Sequence, residues 1–106
     1  MATEESTNTA SPVVSTPLVL DTISTAGIFE LTIDKGNMVS GDRLLINIYK
    51  KATTAGALDI LETSYINWFD KDTQQTFAIV SLYQCRFEIE QTAGTARTFP
   101  WSIASL

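Results

Sequence analysis

The stretch between Cys85 and Ile103 constrains the fold most, because apolar and polar residues alternate along both of its halves. Before Gly94, every second position is apolar from Cys85 to Ile89, and after it the same is true from Phe99 to Ile103. Alternation with a period of two is typical of a half-buried β-strand. A turn at Gly94, where a positive φ would be needed, predicts a β-hairpin.

The predicted hairpin register places the apolar residues of its two strands opposite each other on one face. The pairs are Ile89 with Phe99, Phe87 with Trp101, and Cys85 with Ile103. Cross-strand pairs of this kind are the unit of sheet stabilisation. The hairpin is therefore expected to form the centre of the hydrophobic core.

The chain from residue 18 onwards repeats the same pattern. Phe29, Leu31 and Ile33 are predicted to point inward from one strand. Residues 57–69 are predicted to form either one long strand, in which a bulge would swap the two faces, or two strands with a bend. Turn-forming residues separate these segments, and no segment has convincing helical periodicity. The sequence therefore predicts an all-β domain over residues 18–106, a small antiparallel β-sandwich or barrel of six to seven strands.

Residues 1–17 differ from the rest in composition, being mostly Ser, Thr and Ala with Pro12 and Pro17 among them. Such a segment cannot bury enough apolar surface to fold alone, and its prolines favour an extended path. We predict an extended N-terminal arm that a neighbouring chain would hold in place. The alternative is a disordered leader without a role.

Net charge and hydropathy exclude several classes of partner. The chain carries a formal net charge of −5, and its seven basic residues are scattered, so it lacks the electrostatic footprint of a protein that binds nucleic acid or an anionic membrane. No apolar run approaches the roughly 20 residues of a membrane span. The first residues lack the pattern of a signal peptide, so synthesis in the cytoplasm is expected.

Candidates for catalysis or metal binding are few. The sequence has no histidine, and its single cysteine, Cys85, falls on the predicted core face, where it is expected to be inert. Glu88 and Glu90 share the outer face of one strand, where a polar sheet surface is expected in place of an acid–base pair. Asp70 and Asp72 open like a calcium loop, but the glycine and glutamate that complete such a loop are missing. We predict no catalytic residue, no metal and no cofactor.

Three segments of the chain share a resemblance. They are residues 25–31 (TAGIFEL), residues 37–44 (NMVSGDRL) and residues 91–101, in which QTAGT is followed by RTFPW. As a set they resemble small proteins that tailed bacteriophages encode among their virion head and tail genes. The resemblance extends loosely over residues 18–106, and its motifs are turns and strand openings.

The resemblance implies a structural virion protein without enzyme activity or cofactor, made in the host cytoplasm. Within that class we expect a capsid decoration, or cement, protein that binds the outer capsid surface. Its partners would be the major capsid protein or other virion proteins, with a homo-oligomer on the particle. The alternatives are a head–tail connector or tail accessory protein and, from a different class, a carbohydrate-binding module.

Two groups of residues are predicted to contact partners. The arm would lie over neighbouring capsid subunits or add a strand to an exposed sheet edge. Its predicted contact residues are Thr7, Pro12, Val13, Val14 and Pro17. Trp68 and Phe69 are the predicted interface aromatics, because aromatic residues are favoured at interfaces.

Overall fold

Eight β-strands make up most of the protein in the computed structural model, which describes residues 3–67 and 74–105. The strands are β1 (Thr3–Ala10), β2 (Leu18–Ile23), β3 (Gly27–Asp34), β4 (Arg43–Lys50), β5 (Asp59–Asn67), β6 (Gln74–Ser81), β7 (Cys85–Ala93) and β8 (Phe99–Ser105). The described residues contain no helix, so the prediction of an all-β chain is confirmed.

The strands form two antiparallel sheets that pack into a sandwich. Their orders are β1-β8-β3-β6 and β2-β7-β4-β5. Only β4 and β5 are consecutive neighbours within one sheet, while β1 pairs with β8, β2 with β7 and β3 with β6. The chain is thus one long antiparallel ribbon, folded at β4–β5 and wrapped around the core, which is the jelly-roll topology. The predicted sandwich is confirmed, with eight strands in place of six or seven.

The additional strand comes from the segment that was predicted as an arm. Residues Thr3–Ala10 pair antiparallel with β8, and residues 11–17 connect β1 to β2. Ala10 is buried, and the Ser6 hydroxyl donates a hydrogen bond of 2.8 Å to Oδ2 of Asp21 on β2. Composition did not predict this strand, because backbone pairing with β8 stabilises its extended conformation more than its own side chains do.

The predicted hairpin of β7 and β8 is wrong, because the two strands belong to different sheets. β7 lies between β2 and β4, so Ile89 pairs with Leu18 and Ile46. β8 lies between β1 and β3, so Phe99 pairs with Ala10. The other two predicted pairs fail for the same reason. The apolar faces of both strands nevertheless line the one core, since alternation specifies the face of a residue and not its neighbour.

The core between the sheets follows the predicted alternation closely. Phe29, Leu31 and Ile33 are fully buried along β3, as expected. The bulge predicted within residues 57–69 is present, because the register of β5 on β4 shifts between Ile48 and Tyr49. Local pattern therefore fixed the inward faces even where it misassigned strand neighbours.

Trp101 tests this arrangement, since it is only 8% exposed at the centre of β8. We expect Trp101→Ala to lower the free energy of unfolding by about 3–5 kcal/mol, the range for a buried aromatic. Thr25→Ala, in the exposed β2–β3 turn, is the control and should stay within about 0.5 kcal/mol of the parent. Denaturant unfolding measures both. Equal stability of the two variants would show that Trp101 is not a core residue.

Candidate functional site

Three connections meet at one end of the sandwich. They join β1 to β2 (residues 11–17), β3 to β4 (residues 35–42) and β7 to β8 (residues 94–98). The Asn37 side-chain amide donates a 2.8 Å hydrogen bond to the carbonyl of Thr98. This hydrogen bond holds the β3–β4 connection against the β7–β8 connection.

Asp42 is the main link between these connections. Its side chain is 1% exposed, and its carboxylate accepts hydrogen bonds from the backbone N–H of Val39 at 2.9 Å and of Thr95 at 3.3 Å. Arg97 Nε lies 3.1 Å from Asp42 Oδ2 and completes a salt bridge. One buried carboxylate therefore holds two connections.

These contacts also set the ionisation of Asp42. Burial is the largest effect and acts to raise its pKa, since it disfavours the charged form. The hydrogen bonds from Val39, Arg97 and Thr95, together with the charge of Arg97, outweigh burial and lower the pKa below its ordinary value. Asp42 is therefore a carboxylate at neutral pH.

Gln91 fixes the same end from the inside of the domain. It is fully buried, and its amide nitrogen donates to the carbonyls of Ala93 at 3.2 Å and Thr95 at 2.6 Å. Its amide oxygen accepts from the backbone N–H of Arg97 at 3.2 Å. Residues 94–98 thus have polar partners on two sides, Asp42 and Gln91.

A groove opens between the first and third connections. It has a volume of about 810 Å³ and is lined by residues 11–14, Asn37 and residues 96–98; we call it the loop groove. Val13, one of the lining residues, is 68% exposed. The turn that presents Val13 is fixed, because Thr16 N–H donates to the Val13 carbonyl and Ser15 N–H donates to the Gln91 carbonyl at 2.7 Å. The loop groove therefore combines an exposed apolar side chain with a hydrogen-bonded frame.

The structure brings together three of the five arm residues predicted to contact a partner. Pro12, Val13 and Val14 line the loop groove. Thr7 lies on β1, where its hydroxyl donates a 2.9 Å hydrogen bond to the Trp101 carbonyl, and Pro17 is exposed just before β2.

Four other residues singled out from the sequence fall within residues 68–73. Trp68 and Phe69, the predicted interface aromatics, lie outside the described residues, as do Asp70 and Asp72 of the calcium-like loop. Their roles stay predictions.

Sequence reasoning missed Asp42, Gln91 and Arg97. Gln91 did carry a signal, because it follows Cys85 and Ile89 on the inward face of β7, where the alternation expects an apolar residue. A polar side chain at an inward position must find partners. Asp42 and Arg97 gave no comparable sign, since charged residues in connections are ordinary.

The acidic pair considered for catalysis lies on the outer face of the second sheet. Glu88 is buried there, and its Oε1 atom accepts hydrogen bonds from the Tyr49 hydroxyl at 3.2 Å and the Asn47 amide at 3.4 Å. The Arg86 guanidinium lies over the Tyr49 ring, 4.2 Å from its centroid. These contacts make a polar network across β4 and β7. Ser102 on β8 belongs to the other sheet, and Thr98 lies in the β7–β8 connection.

Cys85 is fully buried at the start of β7, as predicted. Burial is the main cause that raises the pKa of its thiol. Because the thiolate is the nucleophile and the metal ligand, a raised pKa makes this cysteine unreactive at neutral pH.

Within residues 3–67 and 74–105, no group of three or more His, Cys, Asp or Glu side chains is placed to hold a metal ion. Nor does that part of the chain contain a helix long and apolar enough to cross a membrane. No protein family matches the chain, and no curated protein or solved structure matches it either. The loop groove and the resemblance of the three sequence segments are therefore the two features that bear on function.

Gly94 and Gly41 offer a matched test of the contact with Asp42. Both have a positive φ, +92° and +94°, which L side chains rarely adopt. A Cβ on Gly94 would come within 2.9 Å of the Asp42 Cα, whereas one on Gly41 would meet nothing within 4 Å. We expect Gly41→Ala to cost about 1–2 kcal/mol and Gly94→Ala to cost clearly more in denaturant unfolding. Equal costs would contradict the close packing of Gly94 on Asp42.

Asp42→Asn tests the buried carboxylate and its pH dependence. At pH 7 we expect a loss of about 1–3 kcal/mol in unfolding free energy, because buried donors lose their charged acceptor. The pKa of Asp42 is lower in the folded protein, so its contribution is present above the unfolded pKa and disappears as the pH falls through the folded value. The difference between parent and variant should therefore shrink below about pH 4.

The control for this measurement is Asp34→Asn. Asp34 accepts a hydrogen bond of 2.9 Å from Gly36 N–H in an exposed turn, a role that asparagine performs equally well. Its effect should stay within about 0.5 kcal/mol. A constant gap between the parent and Asp42→Asn from pH 7 to pH 2 would contradict the proposed ionic role of Asp42.

Proposed function

We propose that this chain is a structural virion protein of a tailed phage, a capsid decoration protein that binds the outer surface of the major capsid protein through the loop groove. The resemblance of the three sequence segments supports the class. The main support for the loop groove as the attachment site is the exposed Val13 on a hydrogen-bonded turn. An apolar side chain on a fixed turn loses little conformational freedom when it binds a partner.

The loop groove has the composition of a binding surface. Val13 and Val14 supply apolar contact area, while Asn37, Arg97 and Thr98 supply a polar rim. Arg97 is partly exposed with its Nε atom fixed on Asp42, so its guanidinium is oriented before a partner arrives. Repetition of such a contact on a symmetric capsid gives avidity without a large single interface.

This proposal changes the role first expected for residues 1–17. Residues Thr3–Ala10 already pair with β8 of the same chain, so their pairing capacity on that side is used. Residues 11–14 line the loop groove, where Val13 is 68% exposed. Attachment is therefore assigned to the β1–β2 connection.

The copy number and location of the chain in purified particles test the proposal. Quantitative mass spectrometry and electron cryomicroscopy of particles made in cells that express the chain give both quantities. A decoration protein should be present in many copies over the capsid surface. A single small ring at the portal vertex would instead support the head–tail connector. Absence from the particles would overturn the virion role.

Val13→Asp tests the attachment site directly. We expect binding to capsids that lack the protein to weaken by at least about tenfold, because the substitution places a charge in an apolar contact. Val39→Asp is the matched control, since Val39 is 44% exposed at the same end of the domain but does not line the loop groove. Co-sedimentation with capsids measures both variants. Equal binding by Val13→Asp and the parent would remove the loop groove as the attachment site.

A further inference from the structure

The four edge strands of the sandwich are β1, β6, β2 and β5. Edge strands expose unpaired backbone groups, which proteins commonly protect with charged residues, prolines or bulges. Three of the four follow this rule. β1 carries Glu4, β2 carries Asp21, and β5 carries Asp59 and Glu62. Each of these strands also contains a shift in its register.

β6 has none of these protections. Its eight residues, QQTFAIVS, include no charge and no proline, and its register on β3 runs without a shift from Gln74 to Ser81. Val80 on β6 and Leu82 just after it are 62% and 63% exposed, and Ile28 on β3 is exposed beside Val80. Phe77 packs on the core but is only partly buried. An uncharged, regular edge bordered by exposed apolar side chains is suited to pairing with another strand.

We propose that β6 pairs with β6 of a second copy of this chain, so that two four-stranded sheets become one sheet of eight strands. The distribution of acidic residues among the edge strands favours this edge, because β6 is the one edge strand of the described residues without a charged residue. Self-pairing at β1, β2 or β5 would bring carboxylates of the two copies together, which is unfavourable. β6 has no charged side chain, so two paired β6 strands place no like charges opposite each other.

The period of the strands restricts the register. Inward residues must lie opposite inward residues, and the partner strand must run antiparallel about a two-fold axis. Centring the axis on Ala78 places the smallest side chain of the strand opposite itself. Phe77 then lies opposite Ile79 of the second copy, and Thr76 lies opposite its Val80. The half-buried Phe77 gains an apolar neighbour in this register.

This pairing does not depend on the proposed virion role, because it is measured on the isolated chain. The test uses Ala78→Lys, which places two like charges at the axis. Ala78 is exposed on the outer face and pairs with Glu30 of β3, so a lysine there has an opposite charge beside it within the folded monomer. Ala104→Lys is the matched control, since Ala104 on β8 pairs with the same Glu30 from the other side, away from the β6 edge.

Sedimentation equilibrium over a range of concentrations should show dimers for the parent and for Ala104→Lys. For Ala78→Lys the dimer dissociation constant should rise at least about a hundredfold, because like charges directly opposite each other cost several kcal/mol. Circular dichroism checks that each variant is folded. A parent that stays monomeric at every concentration would overturn the proposal and leave a strand of a different protein as the occupant. An Ala78→Lys variant that dimerises like the parent would overturn it as well.

A mixing experiment tests the register. Ala78→Asp, like Ala78→Lys, should fail to dimerise alone, while an equimolar mixture of the two should form a heterodimer with opposite charges at the axis. Native mass spectrometry distinguishes the heterodimer by mass. Recovery of the dimer only in the mixture supports an axis at Ala78, and no recovery in the mixture would overturn it.

Discussion

The antiparallel pairing of β1 with β8 brings the first and last strands together, and the wrapped topology depends on it. The pairs β2–β7, β3–β6 and β4–β5 lie successively further along the same ribbon. Without β1, the inner strand β8 would become an edge, and Phe99 would lose the cover of Ala10. The sequence separation between partners is greatest for this pair, so its closure has the highest entropic cost, while the β4–β5 hairpin has the lowest.

The same wrapping explains why the connections at one end form a fixed surface. Loops that join strands of different sheets must cross over the core, and their polar backbone groups need partners. Asp42 and Gln91 supply these partners from buried positions, which is favourable only because their own polar atoms are bonded. An apolar residue in place of Gln91 would leave the carbonyls of Ala93 and Thr95 without their side-chain donor. The loop groove is thus a consequence of the topology and of two buried polar side chains.

The sequence predicted the faces of the strands well and their neighbours poorly. The inward residues of β3, the bulge in β5 and the positive φ of Gly94 all follow from local pattern, because alternation and turn chemistry act over a few residues. The strand neighbours of Ile89 do not follow from local pattern, since two strands of equal period can lie side by side or face each other across a core. Strand β1 was missed because its polar residues show no alternation.

The candidate site likewise contains residues that the sequence pointed to and residues that it did not. Val13 and Val14 were predicted to contact a partner because the composition of residues 1–17 indicated an arm that does not fold alone. Asp42 and Arg97 lie far apart in sequence and are joined only by the wrapping of the chain. A pattern read over a few neighbouring residues cannot predict a contact between residues so far apart in the sequence. Only the inward polar residue Gln91 offered a local sign that something at this end required hydrogen-bond partners.

The two proposed surfaces lie on different parts of the domain, and their geometry limits how a dimer would bind a capsid. The loop groove is at one end of the strands, whereas β6 is the lateral edge furthest from β1 in its sheet. An antiparallel pairing of β6 strands reverses one copy relative to the other, so the two loop grooves would lie at opposite ends of the eight-stranded sheet. Both grooves reach capsid subunits only if the strands lie along the capsid surface. A dimer on the lattice would therefore bridge two separate binding sites, and its avidity would depend on the match between their spacing and the length of the domain.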